Sequence, residues 1–316
     1  MKEYTVTEWL LYWLSTFAKI KLKPSTYDSY YSIIINRIDP YIGSIPLGQL
    51  TVDDVQEMYN ILSVSGRFDG KGGLSAKSII NVHRLLHKSL KFACGYGLIK
   101  KNVSDLVQVP SYRKPVMRVL NRQEQDLLLQ NCHLTRYGFM IKFALYTGMR
   151  IGELMGLCWS DVDLKNRLVI VRKTLKRINC RSDLENKTEL AFLSPKTENS
   201  YREIPLCEEL YLELLELYNH RKFTIDQVFC TRKGTLNESR RVQQSFAALT
   251  NKLGLSGVTF HTLRHTFATR ALEFGMPIKV LSAILGHSTV KITMDLYLHV
   301  SLDMKRTELE KFAMNM

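Results

Sequence analysis

The chain has no C-x-x-C pair: its six cysteines, Cys94, Cys132, Cys158, Cys180, Cys207 and Cys230, stand more than twenty residues apart. That spacing argues against a thiolate zinc site and against a disulfide framework, so reduced, mostly buried thiols are expected. No apolar run approaches the roughly 18 residues that a membrane-spanning helix needs. The opening segment MKEYTVTEWLLYWLSTFAKI carries an acidic residue at Glu3 and two tryptophans, which suits an amphipathic helix better than a signal peptide. A cytoplasmic protein without a membrane partner is the expectation. Internal repeats and low-complexity tracts are also missing. The glycine-rich loop SGRFDGKGGLS does not fit G-x-x-x-x-G-K-[ST], and it reads as a connection between helices.

What is present is size and positive charge. At 316 residues the chain is long for one domain and sufficient for two. With 45% hydrophobic and 23% charged residues it has the composition of an ordinary globular protein. The formal charge is +14, and it is spread: residues 1–113 carry 14 Lys/Arg against 9 Asp/Glu, the remainder 30 against 21. Two basic halves on one chain fit a clamp closing on a polyanion, because neutralising phosphates releases condensed counterions.

The first hundred residues alternate helical periods with turn signals. TVTEWLLYWLSTFAKI, with a candidate cap at Thr7, precedes KPSTYDSYYSIIINRIDPYIG, which ends at Pro40 and Gly43; TVDDVQEMYNIL follows, with acidic residues in its first turn. A fourth helix runs from about Ser75 to Gly95. Lys77, Asn81, Arg84, Lys88 and Lys91 recur at steps of four and three along one face, while Ile79, Val82, Leu86, Leu90 and Ala93 share another. A solvated surface explains this face, and so does a helix laid against DNA, with Asn81 and Arg84 at base edges and the lysines on phosphates. VPSYRKPVMRV, from Val109 to Val119, has two prolines and no periodicity, as a linker would. Beyond it, helices are expected over NRQEQDLLLQNC and RYGFMIKFALYTGMRIGELMGLCW. Strands are expected over LKNRLVIVRKTL and YREIPL, with a β-excursion of its own over RINCRSDLENKTELAF, before helices resume from Glu208.

Several residues have the chemistry of a phosphate site, although each also has a plain structural reading. Arg150 follows a Thr-Gly break and enters an apolar helix, so it needs an anionic partner; Glu153 is one turn on, and a structural ion pair and a phosphate ligand are equally open. His261 and Arg264 lie three apart at a helix start and share a face. Lys196 falls at the tip of the strand pair, where a lysine is normally solvated. Val290, Met294 and Tyr297 fall at i, i+4 and i+7, the spacing of a core stripe.

Taken together and in order, Arg150 within TGMRIGEL, Lys196 within PKTENSYREIPL, His261 and Arg264 within HTLRHTFAT, His287 within LGHS and Tyr297 within DLYLHV resemble the tyrosine recombinases, the phage-integrase family. The resemblance runs from about Val119 to Val300. It implies a mainly α protein with an N-terminal helical core-binding domain, a SAM-like four-helix bundle, over residues 1–108. A linker over 109–118 would lead to a mixed α+β catalytic domain with a small antiparallel sheet over 119–300, and a C-terminal helix over 301–316 would be exchanged between protomers. It also implies that Tyr297 attacks a DNA phosphodiester, leaving a 3′-phosphotyrosyl link. Arg150 and Arg264 would bind the non-bridging oxygens, Lys196 would protonate the departing 5′-oxygen, His261 would assist proton transfer, and His287 would hydrogen-bond the phosphate. Two guanidiniums suit the extra negative charge of a phosphorane-like transition state. Because the covalent link preserves an activated ester, no cofactor and no metal are expected, and the sequence has neither a Walker motif nor a carboxylate cluster suited to paired Mg²⁺.

The implied partners are double-stranded recombination sites and a homo-tetramer on two paired sites, with an accessory DNA-bending or directionality factor left open. Many mobile-element integrases carry an arm-binding domain before the core-binding one, whereas this sequence opens on the latter; a short recombinase and a shortened sequence are both compatible with that. A mobile-element integrase is the leading reading, beside a Xer-like resolvase or an invertase sharing the same six residues. A non-catalytic DNA-binding regulator is the alternative from another class.

Overall fold

The computed structural model describes residues 3–67, 69–113, 117–182, 185–193, 201–221, 225–296, 306, 309–310 and 313–314, with side chains described except at 179–182, 185–187, 292 and 295–296. The chain divides into two compact units, one formed by Met1–Pro115 with Arg181–Asn186 and the other by Val116–Cys180 with Lys187–Met316.

In the first unit the helices begin where a side chain can satisfy the otherwise unpaired first amides. Thr5 caps α1 (Val6–Trp13): its hydroxyl accepts from the Glu8 amide at 3.3 Å, and Glu8 accepts from the Thr5 amide at 2.8 Å. Thr7, the cap expected from sequence, instead donates its hydroxyl to Asp39 at 2.7 Å. The T-x-x-E spacing of 5 and 8 allows two reciprocal bonds, which fixes the start there. α1 continues through a π-helical turn, Leu14–Ala18. α2 (Pro24–Ile33) passes through a second such turn into α3 (Asp39–Ile42). Pro40, expected at an ending, therefore sits in the first turn of α3, where its missing N–H leaves no helical bond unmade. Thr51 and Asp54 form the same kind of reciprocal cap on α4 (Val52–Ser65).

α5 (Ala76–Gly95) is capped by Ser75 and is amphipathic as its spacing indicated. Ile79, Val82, Leu85, Leu86, Leu90 and Ala93 are buried, whereas Lys77, Asn81, Arg84, Lys88 and Lys91 are exposed. The buried face meets Trp9, Leu10, Trp13, Ile34, Ile38 and Tyr59 in one core. Each such side chain, fully buried, contributes roughly 1.5–3 kcal/mol from surface removed from water. The indole N–H of Trp9 donates to the Ser89 carbonyl at 3.2 Å, satisfying a polar atom inside that core.

In the second unit α6 (Arg122–Asn131) and α7 (Gly138–Thr147) lead to α8 (Ile151–Gly156). An antiparallel sheet follows, built from β1 (Val162–Asp163), β2 (Leu168–Val171) and β5 (Arg202–Pro205), with β2 central. Its register sets Val169 opposite Ile204 and Val171 opposite Arg202. Between β2 and β5 the chain forms a separate pair, β3 (Thr174–Ser182) and β4 (Glu185–Leu193), the excursion expected from sequence. After the sheet come α9 (Glu208–Asn219), α10 (Ser239–Lys252), α11 (Phe260–Glu273), α12 (Ile278–Leu285) and α13 (Val290–Leu296). Phe143 of α7, Leu154 of α8, Val169 and Ile204 of the sheet, Phe246 of α10 and Leu263 of α11 belong to one core.

The mainly helical architecture with a small antiparallel sheet is the one expected. The thiols are not: of the described cysteines only Cys158 is buried, Cys207 is exposed and the other three are half-buried. Cys207 precedes the first turn of α9, where its backbone caps the helix and the side chain stays outside. Among the described residues no helix is long and apolar enough to cross a membrane.

Candidate active site

Two helix ends of the second unit carry candidate residues, and a left-handed glycine shapes each. α7 stops at Gly148, φ 64°, and Arg150 follows two residues later. α12 stops at Gly286, also φ 64°, and His287 is next. A non-glycine residue is disfavoured in this conformation. At Gly148 a side chain would also collide, since a Cβ would lie 2.6 Å from Phe267 Cδ1 and 2.7 Å from Leu285 Cδ2.

Arg264 joins the two ends. It projects from α11 into the protein, only 4% exposed, and donates from Nη1 to the Gly148 carbonyl and from Nη2 to the Leu285 carbonyl, both at 2.8 Å. The last carbonyls of a helix lack partners within it and carry partial negative charge, so one guanidinium satisfies both ends and gains from both dipoles.

Arg150 is held by a carboxylate. Its backbone amide donates to Glu153 Oε2 at 2.9 Å, and its Nη1 donates to Glu153 Oε1 at 2.8 Å. Glu153 is buried and also accepts from Arg202 of β5, Oε2 from Nη2 at 2.8 Å and Oε1 from Nη1 at 3.3 Å. Burial alone would raise the Glu153 carboxyl, but the hydrogen bond and charge of Arg202, then the charge of Arg150, hold it at about 2. It is therefore an anion throughout the neutral range.

The histidines are kept neutral. Burial, reinforced by Arg264, Arg150, Arg202 and His265, lowers His287 to about 4. Its Nδ1 is 2.8 Å from the hydroxyl of the buried Thr293 on α13, which orients the ring. His261 is lowered by the protein packed around it and by the charges of Arg264 and Arg150. Its ring lies edge-on to His265, centroids 4.4 Å apart. Arg150, His261 and Arg264 line one pocket of about 680 Å³ together with Lys176 of β3, Gln243 of α10 and Thr259. Two guanidiniums and a neutral imidazole on one pocket are suited to a phosphate oxygen cluster and to moving a proton near it. Among the described residues no group of three or more His, Cys, Asp or Glu side chains is arranged to hold a metal ion.

Of the residues singled out from sequence, the structure brings Arg150, His261, Arg264 and His287 together. Lys196 and Tyr297 lie outside the described residues, as does most of 301–316. The core stripe expected over Val290, Met294 and Tyr297 is corrected at its described members: Val290 is 37% and Met294 50% exposed, and among the described side chains of α13 the fully buried one is Thr293. α13 turns its hydroxyl-bearing side toward the interior, where His287 holds it. Arg202 was missed, although β5 offered a signal. Its burial alternates, with Arg202 and Ile204 inward and Glu203 and Pro205 more exposed, so the period of a strand already pairs the arginine with an apolar neighbour.

Residues 118–303 match the phage integrase family, and residues 5–63 match its N-terminal SAM-like domain. The chain belongs to this family, the tyrosine recombinases, which are enzymes of DNA strand exchange. A tyrosine recombinase XerC-like protein of Caldanaerobacter subterraneus subsp. tengcongensis is 26% identical across 98% of this chain and 83% of its own length. The Tn1549 transposon integrase, solved in complex with a circular intermediate DNA, superposes with a TM-score of 0.79 at 26% identity, covering 98% of this chain and 99% of that one. A lambda integrase tetramer bound to a Holliday junction shares the fold, with a TM-score of 0.67 at 20% identity over 90% of this chain and 78% of that one.

Proposed function

We propose that the protein is a site-specific recombinase that integrates or excises a mobile element, cutting and rejoining double-stranded DNA through a 3′-phosphotyrosyl intermediate on Tyr297. The observation that carries this reading is the convergence of Arg150, His261 and Arg264 on one pocket, with His287 oriented beside them. Arg150 and Arg264 bind the non-bridging oxygens of the scissile phosphate and stabilise the charge that accumulates as the phosphorane forms. The positive pocket also favours the phenolate of Tyr297. Lys196 protonates the leaving 5′-oxygen. His287, neutral and held by Thr293 through Nδ1, has Nε2 for a phosphate oxygen, and His261 assists proton transfer near the nucleophile.

Residues 1–108 grip the duplex, 109–118 link them to the catalytic residues 119–300, and 301–316 exchange between protomers. Support for the first assignment comes from α5, whose cationic face is exposed along its length while the opposite face is buried. Lys77, Lys88 and Lys91 hold phosphates there, and Asn81 and Arg84 reach base edges. Two sites on two duplexes call for four active chains, hence a tetramer that passes through a Holliday junction. Similarity to the Tn1549 integrase favours mobile-element chemistry over a chromosome resolvase. The test is a nicked suicide substrate carrying the native site, incubated without ATP or divalent metal. A covalent protein–DNA adduct is expected in the parent chain and none in Tyr297→Phe; an adduct that persists in the variant would overturn the assignment.

A further inference from the structure

We infer that Arg202 is a positioning residue for strand cleavage, clamping the start of α8 to the end of α12 so that Arg150 and His287 stay in register across the site. The inference rests on the recombinase reading above. Its geometry is that of a bracket. One edge of the Arg202 guanidinium faces Glu153 through Nη1 and Nη2, at 3.3 and 2.8 Å, while Nε donates to the Ile284 carbonyl at 2.5 Å. Glu153 in turn takes the backbone amide and Nη1 of Arg150. A single carboxylate thus receives two donors from each arginine, and its orientation fixes both.

The far end of the bracket lies beside Arg264. Arg202 holds the Ile284 carbonyl and Arg264 holds the next one, Leu285, so the last two residues of α12 are pinned before the chain turns at Gly286 into His287. Arg202 itself is fixed by the ladder, opposite Val171 on the central strand. A lysine could not reproduce this, because a planar fork presents donors on two edges at once and an ammonium does not. Nor does net stability explain the arrangement. A buried ion pair is commonly no more stabilising than apolar side chains of the same volume, whereas it does enforce direction and distance. The lowered pKa of His287 is consistent with the same geometry, since Arg202 is among the charges acting on it.

The test is single-turnover cleavage of the nicked native site by the full chain, reading the half-saturating DNA concentration, the limiting rate and its pH dependence. For Arg202→Met the half-saturating concentration should stay within about threefold while the limiting rate falls about 100-fold, the scale on which a displacement near 1 Å acts. The acid limb should move to higher pH as His287 loses a neighbouring cation, and Arg202→Lys should recover only a minor part of the rate. A limiting rate within threefold of the parent, or a loss that tracks the unfolded fraction, would overturn the inference. Should Arg202→Met fail to fold, Arg202→Gln, which leaves Glu153 and its bonds to Arg150 in place, is read in the same way. If the parent chain makes no adduct, it is the recombinase reading that fails, and amide hydrogen exchange on the DNA-free protein then decides the clamp. Faster exchange at Arg150 and His287 in Arg202→Met upholds it, and unchanged exchange overturns it.

Discussion

The two units carry positive charge in opposite ways. On α5 the cations are at the surface: Lys77 and Lys88 lie over the rings of Tyr112 and Trp13 at 5.3 and 5.9 Å, and the whole row stays exposed. In the second unit Arg202 and Arg264 are sunk into the protein, each hydrogen-bonded to helix-end carbonyls, and Arg202 also to a carboxylate. Charge of the first kind is screened and additive, and any one residue of it is dispensable. Charge of the second kind is desolvated, directional and dependent on every partner. Gripping a polyanion along its length and holding one phosphate in a pocket call for the two kinds of charge in different places.

The comparison is broken most directly at Arg264. Arg264→Lys keeps the charge but cannot donate to both Gly148 and Leu285 while facing a phosphate, so adduct formation on the nicked substrate should fall by about 10²–10³-fold, the cost of an oxyanion donor. Retention of site DNA in a gel-shift assay should change little. If retention and cleavage fell together, Arg264 would belong with the surface cations.

A smaller effect sharpens the contrast through pH. His287 has an ordinary value of 6.5 and is held near 4 in the folded chain. The unfolded chain therefore takes up a proton first, and stability falls as the pH drops from about 6.5 toward 4. Glu153, lowered from 4.5 to about 2, gives stability that is present above pH 4.5 and lost below it, so the two windows separate. Urea unfolding between pH 7 and pH 5 should show a decline in the parent chain that is reduced in His287→Gln. An identical decline in both would mean that other groups carry it.

The smallest effect is expected on α5. Lys88→Ala should weaken binding of any duplex by a few-fold and lower the slope of log affinity against log salt by about one, with the limiting cleavage rate unchanged. A sequence-selective loss there would move Lys88 from the phosphates to the base edges.

The candidate site residues were legible because their spacing and their neighbours recur in a recognisable order: TGMRIGEL sets Arg150 at the cap of α8, HTLRHTFAT sets His261 and Arg264 in the first turns of α11, and LGHS sets His287 just past the end of α12. The supporting residues were less so. Arg202 sits in a short strand where an arginine ordinarily faces water, and its burial depends on partners distant in sequence, Glu153 and the Ile284 carbonyl among them. Thr293 was hidden by an apolar spacing over Val290 and Met294 that the fold leaves exposed. At the other end of the chain, Thr5 and Thr7 both qualify as caps by residue type; the glutamate three positions after Thr5 decided between them, and that signal was present to be read. Periodicity reports which face of an element is apolar, while the identity of what that face meets comes from contacts made across long stretches of chain.

The claim on which the rest depends is that one tyrosine, Tyr297, is delivered to the pocket of Arg150, His261 and Arg264. The most direct measurement is peptide mapping of the trapped adduct by mass spectrometry after nuclease and protease digestion. The expected result is a nucleotide remnant on Tyr297 within the peptide that contains DLYLHV. A remnant on any other residue would contradict the assignment of the nucleophile and the mechanism built on it.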